Sequence, residues 1–189
     1  MTLSTKASSL KARDHEDSSG SQASSDLANQ AYTSHDHSSC VSKALEQATE
    51  LCQQRGQRLT ALRKQVLELV WDSHKPIGAY DILAMMSKDQ DRPAAPPTVY
   101  RALDFLLEQS LIHRIASLNA YIGCHCPDST HEGIFLICEK CRTTRELTGS
   151  EEISLLKQQA ANTGFQATHS LVEISGLCPA CQPACHEGA

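Results

Sequence analysis

Metal-binding side chains are concentrated in the second half of this 189-residue chain. Two Cys-x-x-Cys pairs, separated by 36 residues, comprise Cys138, Cys141, Cys178 and Cys181. Each pair can supply two corners of a tetrahedron, and four thiolates close a structural zinc site without an open position. A redox role would require such a pair to open a helix after a strand in a thioredoxin-like unit, and that setting is absent. The spacing therefore predicts a structural zinc ion that joins two distant parts of the chain.

A second donor set is chemically mixed and lies around the first cysteine pair. It comprises His113, Cys124, His131 and Glu146. The thiolate favours zinc, because iron and manganese prefer nitrogen and oxygen ligands. Each of these residues taken singly could be an ordinary side chain, and His125 and Cys126 offer additional donors. The four residues lie on both sides of an expected domain boundary, so occupancy of the site would bias the relative orientation of the two domains. We expect two zinc ions per subunit.

The sequence patterns of zinc enzymes do not fit these residues. A zinc deaminase combines His-x-Glu with Pro-Cys-x-x-Cys. Here His131 is followed directly by Glu132, and Pro179 lies inside the second cysteine pair. The metalloprotease pattern His-Glu-x-x-His is also absent. With all four positions of each site filled by protein, no place remains for an activated water. The sequence therefore predicts a protein that is not an enzyme and has no small-molecule substrate.

Composition and charge indicate a cytoplasmic protein without a membrane span. Nine cysteines are an odd count, and the serine-rich N-terminus lacks the apolar segment of a secretory signal, so a disulfide framework is not expected. No apolar run is long enough to cross a bilayer. The net charge is −5, and residues 1–42, 43–123 and 124–189 carry −2, +1 and −4. Any DNA contact is therefore expected in the middle segment, although its charge balance alone is weak evidence.

The middle segment is predicted to form four helices followed by a β-hairpin. The first helix ends near Gly56, the second runs from Thr60 to before Pro76, the third covers Ala79 to Met86, and the fourth spans 97–109. The strands of the hairpin are 111–116 and 120–124. This order is typical of a winged helix-turn-helix, whose recognition helix places its N-terminal residues in the major groove. Arg101 can pair with guanine, and Tyr100 can contact a thymine methyl or a phosphate. A plain amphipathic helix with a solvated arginine fits the same pattern.

The chain is predicted to divide into four parts. These are a disordered serine-rich tail at 1–42, a winged-helix DNA-binding domain at 43–123, a metal-binding dimerisation domain at 124–182 and a C-terminal tail at 183–189. In the third part we expect strands at 134–137, 143–147 and 167–175 around a helix at 151–161. So small a unit requires a metal and a dimer interface for stability. The expected class is α+β, with a winged helix-turn-helix domain followed by a small α/β dimerisation domain.

Residues 44–182 resemble the ferric uptake regulator family and, within it, the zinc uptake regulator branch. The resemblance rests on Arg58-Leu-Thr60 with Arg63, on 79–83, on Pro-Pro-Thr-Val-Tyr-Arg-Ala-Leu-Asp-Phe-Leu-Leu-Glu at 96–108, and on Gly-Leu-Cys-Pro-Ala-Cys at 176–181. It implies a zinc-loaded homodimer that represses uptake genes at an AT-rich palindromic operator. It also implies that the four paired cysteines hold structural zinc, that the mixed set holds regulatory zinc, and that Tyr80, Arg101 and Tyr100 face DNA.

Two other functions stay open at this point. A family member could sense iron, manganese or peroxide, although a thiolate ligand such as Cys124 is not expected in the regulatory site of such a sensor. A zinc-stapled module that binds a protein rather than DNA is the second alternative. The resemblance also leaves extra donors without a role: His169 matches a further metal position in some family members, and Cys185 and His186 could compete with the second cysteine pair.

Overall fold

A computed structural model describes residues 37–88, 95–127, 133–147 and 150–183. Their elements are α1 (His37–Gln54), α2 (Ala61–Trp71), α3 (Ala79–Lys88), α4 (Pro96–Glu108), β1 (Ile112–Ile115), β2 (Ala120–Gly123), β3 (Ile134–Cys138), β4 (Thr144–Leu147), α5 (Ser150–Asn162) and β5 (Val172–Gly176). His131, Cys185, His186 and the tail residues 1–36 and 184–189 lie outside the described parts. In the parts that are described, no helix is long and apolar enough to cross a membrane.

Local sequence signals set most helix boundaries. Gly56 adopts a positive φ of 64° after α1, where Gln57 N–H donates to Cys52 O at 2.7 Å. Thr60 caps α2, with its side chain accepting the backbone N–H of Arg63 at 3.4 Å. α4 begins with proline. Proline has no backbone N–H, but the N–H groups of the first helical turn have no partner within the helix, so no helical hydrogen bond is lost. The helix at Pro96–Glu108 is displaced by one residue at each end from the predicted 97–109.

The start of α1 corrects the predicted extent of the disordered tail. Residues 37–42, expected to be disordered, form the beginning of this helix. Cys40 is buried, and Val41 packs against the helical core, so apolar contacts order a stretch whose serine content suggested none. Cys52, near the end of α1, is also a core residue, and burial raises the pKa of its thiol.

The first helices and the hairpin form a winged helix-turn-helix, as predicted. α2, α3 and α4 share a core that includes Val66, Leu67, Val70, Ile82, Met86, Val99, Leu103 and Leu106. The pattern of α4 did not predict the burial of Phe105, whose ring lies 3.4 Å beneath the Arg63 guanidinium. β1 and β2 pair antiparallel and form the wing, with Asn119 in the left-handed region at φ 47° in its turn.

The second half is a three-stranded sheet with one connecting helix. Its strand order is β4-β3-β5, with β4 antiparallel and β5 parallel to β3. The parallel pairing requires a crossover connection, which contains α5. β5 begins at Val172 rather than at the predicted residue 167, because its pairing partner β3 begins at Ile134. In this register Cys138 lies opposite Gly176, just before the second cysteine pair.

The wing packs directly on the sheet of the second half. Ile115 and Ile122 of the wing form one buried cluster with Phe135 and Ile137 of β3. A backbone hydrogen bond also joins the halves, with Thr144 N–H donating to His74 O at 2.9 Å. A change in the position of β3 or β4 therefore bears directly on the wing.

Candidate metal centres and nucleic-acid interface

The four paired cysteines converge on one point. Their sulfur atoms all lie within 4.8 Å of one another, and Cys141 Sγ is 3.7 Å from Cys178 Sγ. One knuckle follows β3, where Arg142 adopts a positive φ of 64° and its N–H donates to Cys138 O at 2.9 Å. The other follows β5, where Cys181 N–H donates to Cys178 O at 2.9 Å. The parallel pairing of β3 with β5 thus joins knuckles that are distant in sequence.

The four sulfurs differ in how readily they lose a proton. Backbone N–H groups of Cys141 and Cys178 lower the pKa of Cys138 to about 6. The hydrogen bond with the Cys178 sulfur, together with burial, raises the pKa of Cys181 to about 12. One thiolate is therefore favoured while another thiol retains its proton. A divalent cation of the tetrahedral, thiolate-preferring kind would stabilise four thiolates here, so the donor set fits zinc.

The mixed site assembles donors from the wing and from β4. Among the described residues, His113 on β1, Cys124 after β2 and Glu146 on β4 bring their ligand atoms within 4.8 Å of one another. His113 Nε2 lies 3.1 Å from Glu146 Oε1. Glu146 is only 3% exposed, and an ionised carboxylate so buried requires charged or hydrogen-bonding partners. Three of the four predicted donors therefore meet, and the fourth, His131, lies outside the described residues.

Sequence reasoning did not find the arrangement on the other side of Glu146. The backbone N–H of His125 donates to Glu146 Oε2 at 3.3 Å, and His125 Nδ1 lies 3.5 Å from the same oxygen. The adjacent histidine in Cys-His-Cys was a signal that further donors surround this site. Neither His125 nor Cys126 joins the group of described donors within 4.8 Å. His169 lines a groove that also contains His113, Gly133 and Leu171.

A guanidinium ties the segment after Cys124 to the end of α4. Arg55 Nη1 donates to Gln109 O at 2.5 Å, and Arg55 Nη2 donates to Pro127 O at 2.9 Å. Gln109 is the C-cap of α4, and Pro127 lies three residues after Cys124. The arginine therefore holds two backbone segments together although they share no secondary structure.

The residues predicted to face DNA are on the surface of the helix-turn-helix. Tyr80, in the first turn of α3, is 74% exposed, and Tyr100, in the first half of α4, is 40% exposed. Arg101 is also exposed, and it lies on the face of α4 opposite the buried Val99 and Leu103. These three side chains are accessible to a partner, and a guanidinium with two tyrosines can contact phosphates and base edges.

A second surface, on α5 and the segment around β5, is apolar. Its large side chains are 37% to 64% exposed, and they are Leu155, Leu156, Phe165, Leu171, Ile174 and Leu177. A single exposed leucine requires no explanation, but six large apolar side chains exposed within residues 155–177 are candidates for contact with a partner. We call these six residues the α5–β5 apolar surface.

Comparisons with known proteins agree with this geometry. The zinc uptake regulation protein of Escherichia coli strain K12 is 41% identical over 138 residues, which are 72% of this chain and 80% of that protein. The peroxide-responsive repressor PerR of Staphylococcus aureus strain USA300 is 26% identical over 144 residues, covering 75% of this chain and 94% of that protein.

Solved structures give the same assignment. A zinc uptake regulator complexed with zinc and DNA matches with a TM-score of 0.71 and 40% identity, covering 75% of this chain and 94% of that one. Holo XcZur matches with a TM-score of 0.67 and 39% identity, covering 72% and 95%. The family model described as the ferric uptake regulator family matches residues 54–175. The chain belongs to the ferric uptake regulator family.

Proposed function

We propose that this protein is a zinc-responsive transcriptional repressor of zinc uptake genes, which binds a palindromic operator as a zinc-loaded homodimer. The observation that carries the proposal is the donor set of the mixed site, in which the Cys124 sulfur meets His113 and Glu146 at the junction of the wing and β4. The relatives named for zinc uptake regulation support the choice of signal.

The two metal centres have different roles in this proposal. Cys138, Cys141, Cys178 and Cys181 would hold structural zinc, which contributes on the order of 10–16 kcal/mol to small metal-dependent folds. His113, Cys124, Glu146 and, from outside the described residues, His131 would hold regulatory zinc. A closed tetrahedral set of this kind supplies a cross-link rather than an activated water, which is why the proposal includes no enzymatic activity.

The regulatory site acts through the arrangement of its ligands. His113 belongs to the wing and Cys124 directly follows it, whereas Glu146 belongs to the sheet of the second half. A thiolate at Cys124 beside the buried Glu146 carboxylate would require a cation, because two like charges in this site repel each other. A bound zinc ion would therefore favour the arrangement that brings these ligands together. To switch almost completely, that preference must amount to roughly 5.5 kcal/mol.

The winged helix supplies the DNA contacts. Arg101 on α4 reads a base edge in the major groove, Tyr100 contacts the same groove, and Tyr80 on α3 contacts the backbone. The exposure of these side chains supports their assignment. The segment from α1 through β2 serves as the DNA-binding unit, and residues 124–182 serve as the metal-binding dimerisation unit.

Two copies associate through the α5–β5 apolar surface. Its burial in a dimer would remove apolar side chains from water and place two winged helices at a fixed separation, as a palindromic operator requires. None of the eight described cysteines forms a disulfide, which supports a cytoplasmic location, where thiols stay reduced and the chromosome is accessible.

The proposal is tested by DNA binding under defined metal conditions. Zinc-loaded protein first selects binding sites from random-sequence duplexes, and the selected site is then titrated with protein in zinc, iron(II) or manganese(II) at one fixed salt concentration. We expect tight binding with zinc only, and we expect Cys124→Ser to lose it while remaining a folded dimer. Equal binding with zinc and after removal of all regulatory metal would refute the proposal.

A second candidate function is a repressor that responds to a signal other than zinc, because a peroxide-responsive repressor is among the relatives. Under that alternative, iron(II) or manganese(II) would support DNA binding and peroxide would abolish it. A third candidate function is a module that binds a protein and does not contact DNA. In that case the selection from random duplexes would enrich no sequence. The metal titration and the selection therefore separate all three candidates.

A further inference from the structure

His125 is a buried histidine beside the mixed site. It is 8% exposed, and its ring lies near the rings of both Trp71 and His74. The ring is edge-on to Trp71, with centroids 5.0 Å apart, and stacked with His74 at 6.4 Å. Its backbone N–H and Nδ1 lie 3.3 Å and 3.5 Å from Glu146 Oε2. The two oxygens of Glu146 therefore face different histidines, since Oε1 lies 3.1 Å from His113 Nε2.

The same group of residues reaches the end of α2. Trp71 is the last residue of that helix, and its indole is so close to the wing that a Cβ on Gly123 would lie 2.2 Å from Trp71 Cε2. His74, three residues later, accepts the backbone N–H of Thr144 on β4 at 2.9 Å. β4 is thus attached to the end of α2 twice, once through Thr144 and once through Glu146 and His125.

We propose that His125 is a positioning residue, which holds the outer oxygen of Glu146 and links zinc coordination by Glu146 to the end of α2. This inference rests on the zinc-responsive function proposed above. We call the four residues Trp71, His74, His125 and Glu146 the His125 bridge.

The chemistry of a buried carboxylate supports this role. When Oε1 faces a metal, Oε2 still requires a donor, because an unsatisfied charged oxygen in a buried place is costly. His125 supplies that donor from its backbone N–H, and its imidazole Nδ1 lies beside the same oxygen at 3.5 Å. Outer-shell partners of this kind fix the orientation of the ligand. The backbone nitrogen and Nδ1 of His125 lie nearest Oε2, whereas His113 Nε2 lies nearest Oε1, so the two histidines contact different oxygens of the carboxylate.

The packing of the ring explains how the effect reaches the DNA-binding helices. α2 packs on α4, so a displacement of Trp71 would shift α4, the helix that carries Arg101. Close-packed side chains transmit such shifts because they leave no free volume to absorb them. The donor function and the packing function of His125 are therefore separable by substitution.

Two variants separate the functions. His125→Asn retains a polar nitrogen near the place of Nδ1 and removes the ring, whereas His125→Phe retains a ring and removes both ring nitrogens. The backbone N–H that donates to Glu146 stays in both variants. Zinc affinity of the mixed site is measured by competition with a chelator, and ligation is followed by the thiolate-to-cobalt absorption of the Co(II)-substituted protein. DNA affinity is measured with and without zinc on the selected duplex.

We expect His125→Phe to weaken zinc binding at the mixed site by about 10–100-fold. We expect His125→Asn to bind zinc nearly as wild type does, but to lose about fivefold or more of the gain in DNA affinity that zinc produces. Both variants should keep two metals per chain at saturation and the wild-type Co(II) spectrum. If the His125→Phe variant loses its helical circular dichroism signal, His125→Leu is used instead. The same loss of zinc affinity is expected for it.

Two results would overturn the role of His125. In one, both variants bind zinc and DNA as wild type does. In the other, both lose the second metal and change the Co(II) spectrum, which would make His125 a direct ligand. Cys124→Ser is measured in parallel to distinguish these results from failure of the proposed function. If zinc-dependent DNA binding survives this substitution, the mixed site is not the regulatory zinc site.

Discussion

Replacing Glu173 by Gln should loosen the attachment of the wing to the second half. Glu173 lies on β5, and its carboxylate accepts the backbone N–H of Ala116 at 2.6 Å and that of Ser117 at 3.1 Å. These amides belong to the turn of the wing. Partial burial raises the pKa of Glu173, but hydrogen bonds from the Ser117 side chain and from both amides outweigh burial, so its pKa is lower than usual.

The expected loss follows from the two hydrogen bonds. A hydrogen bond to a charged group contributes about 1.5–3 kcal/mol when it is well shielded. Here the residues that donate are exposed, and water competes with the carboxylate, so each bond contributes less. Glutamine also keeps one acceptor oxygen. We therefore expect Glu173→Gln to lower the free energy of unfolding by about 1–2 kcal/mol at neutral pH.

The assay is urea unfolding of the zinc-loaded protein at several pH values. Because the folded pKa of Glu173 is below its ordinary value of 4.5, the carboxylate stabilises the fold above that pH and loses this contribution as pH falls through the folded pKa. The difference between wild type and variant should thus be full at pH 7 and shrink in acid. Wild type and variant are compared at each pH, so loss of zinc in acid affects both.

Glu46→Gln is the matched control, since Glu46 is an exposed carboxylate on α1. It should leave the urea midpoint unchanged at pH 7. The reasoning about Glu173 is refuted if Glu173→Gln unfolds at the wild-type urea concentration at pH 7. It is also refuted if the difference between the two proteins stays constant into acid.

Three further predictions concern the other parts of the molecule. Cys138→Ser should lose the structural zinc and unfold the second half, which zinc analysis and circular dichroism measure; a variant with two zinc ions and the wild-type spectrum would contradict this. Arg101→Ala should weaken binding to the selected duplex by about 1–3 kcal/mol, while Lys43→Ala on α1 should change it little; equal losses would remove Arg101 from base recognition. Leu156→Glu should convert the dimer to a monomer in sedimentation experiments, and an unchanged mass would exclude this surface as the interface.

The helices and the cysteine pairs were predictable because their signals are local. Apolar periodicity, Gly56, the Thr60 cap and the proline pair mark the helix boundaries without knowledge of any partner. Two short Cys-x-x-Cys motifs likewise identify a tetrahedral donor set before the strands that unite them are known. The winged helix order followed from the same signals.

The remaining features depend on contacts between residues distant in sequence. The start of α1 at His37 requires Cys40 and Val41 to meet the helical core, which serine composition does not reveal. The contact of Glu173 with the wing turn spans 57 residues, and the contact of His125 with Glu146 spans 21. Neither pair has a sequence spacing that indicates proximity, so only the packing of the wing on the sheet reveals them.

The most direct test of zinc-dependent repression is the zinc affinity of the mixed site, measured on free protein and on protein saturated with the selected duplex. Linkage requires that DNA raise zinc affinity by the same factor by which zinc raises DNA affinity. We expect that increase in wild type and expect it to disappear in Cys124→Ser. Equal zinc affinity with and without DNA in the wild-type protein would show that zinc at this site does not control DNA binding.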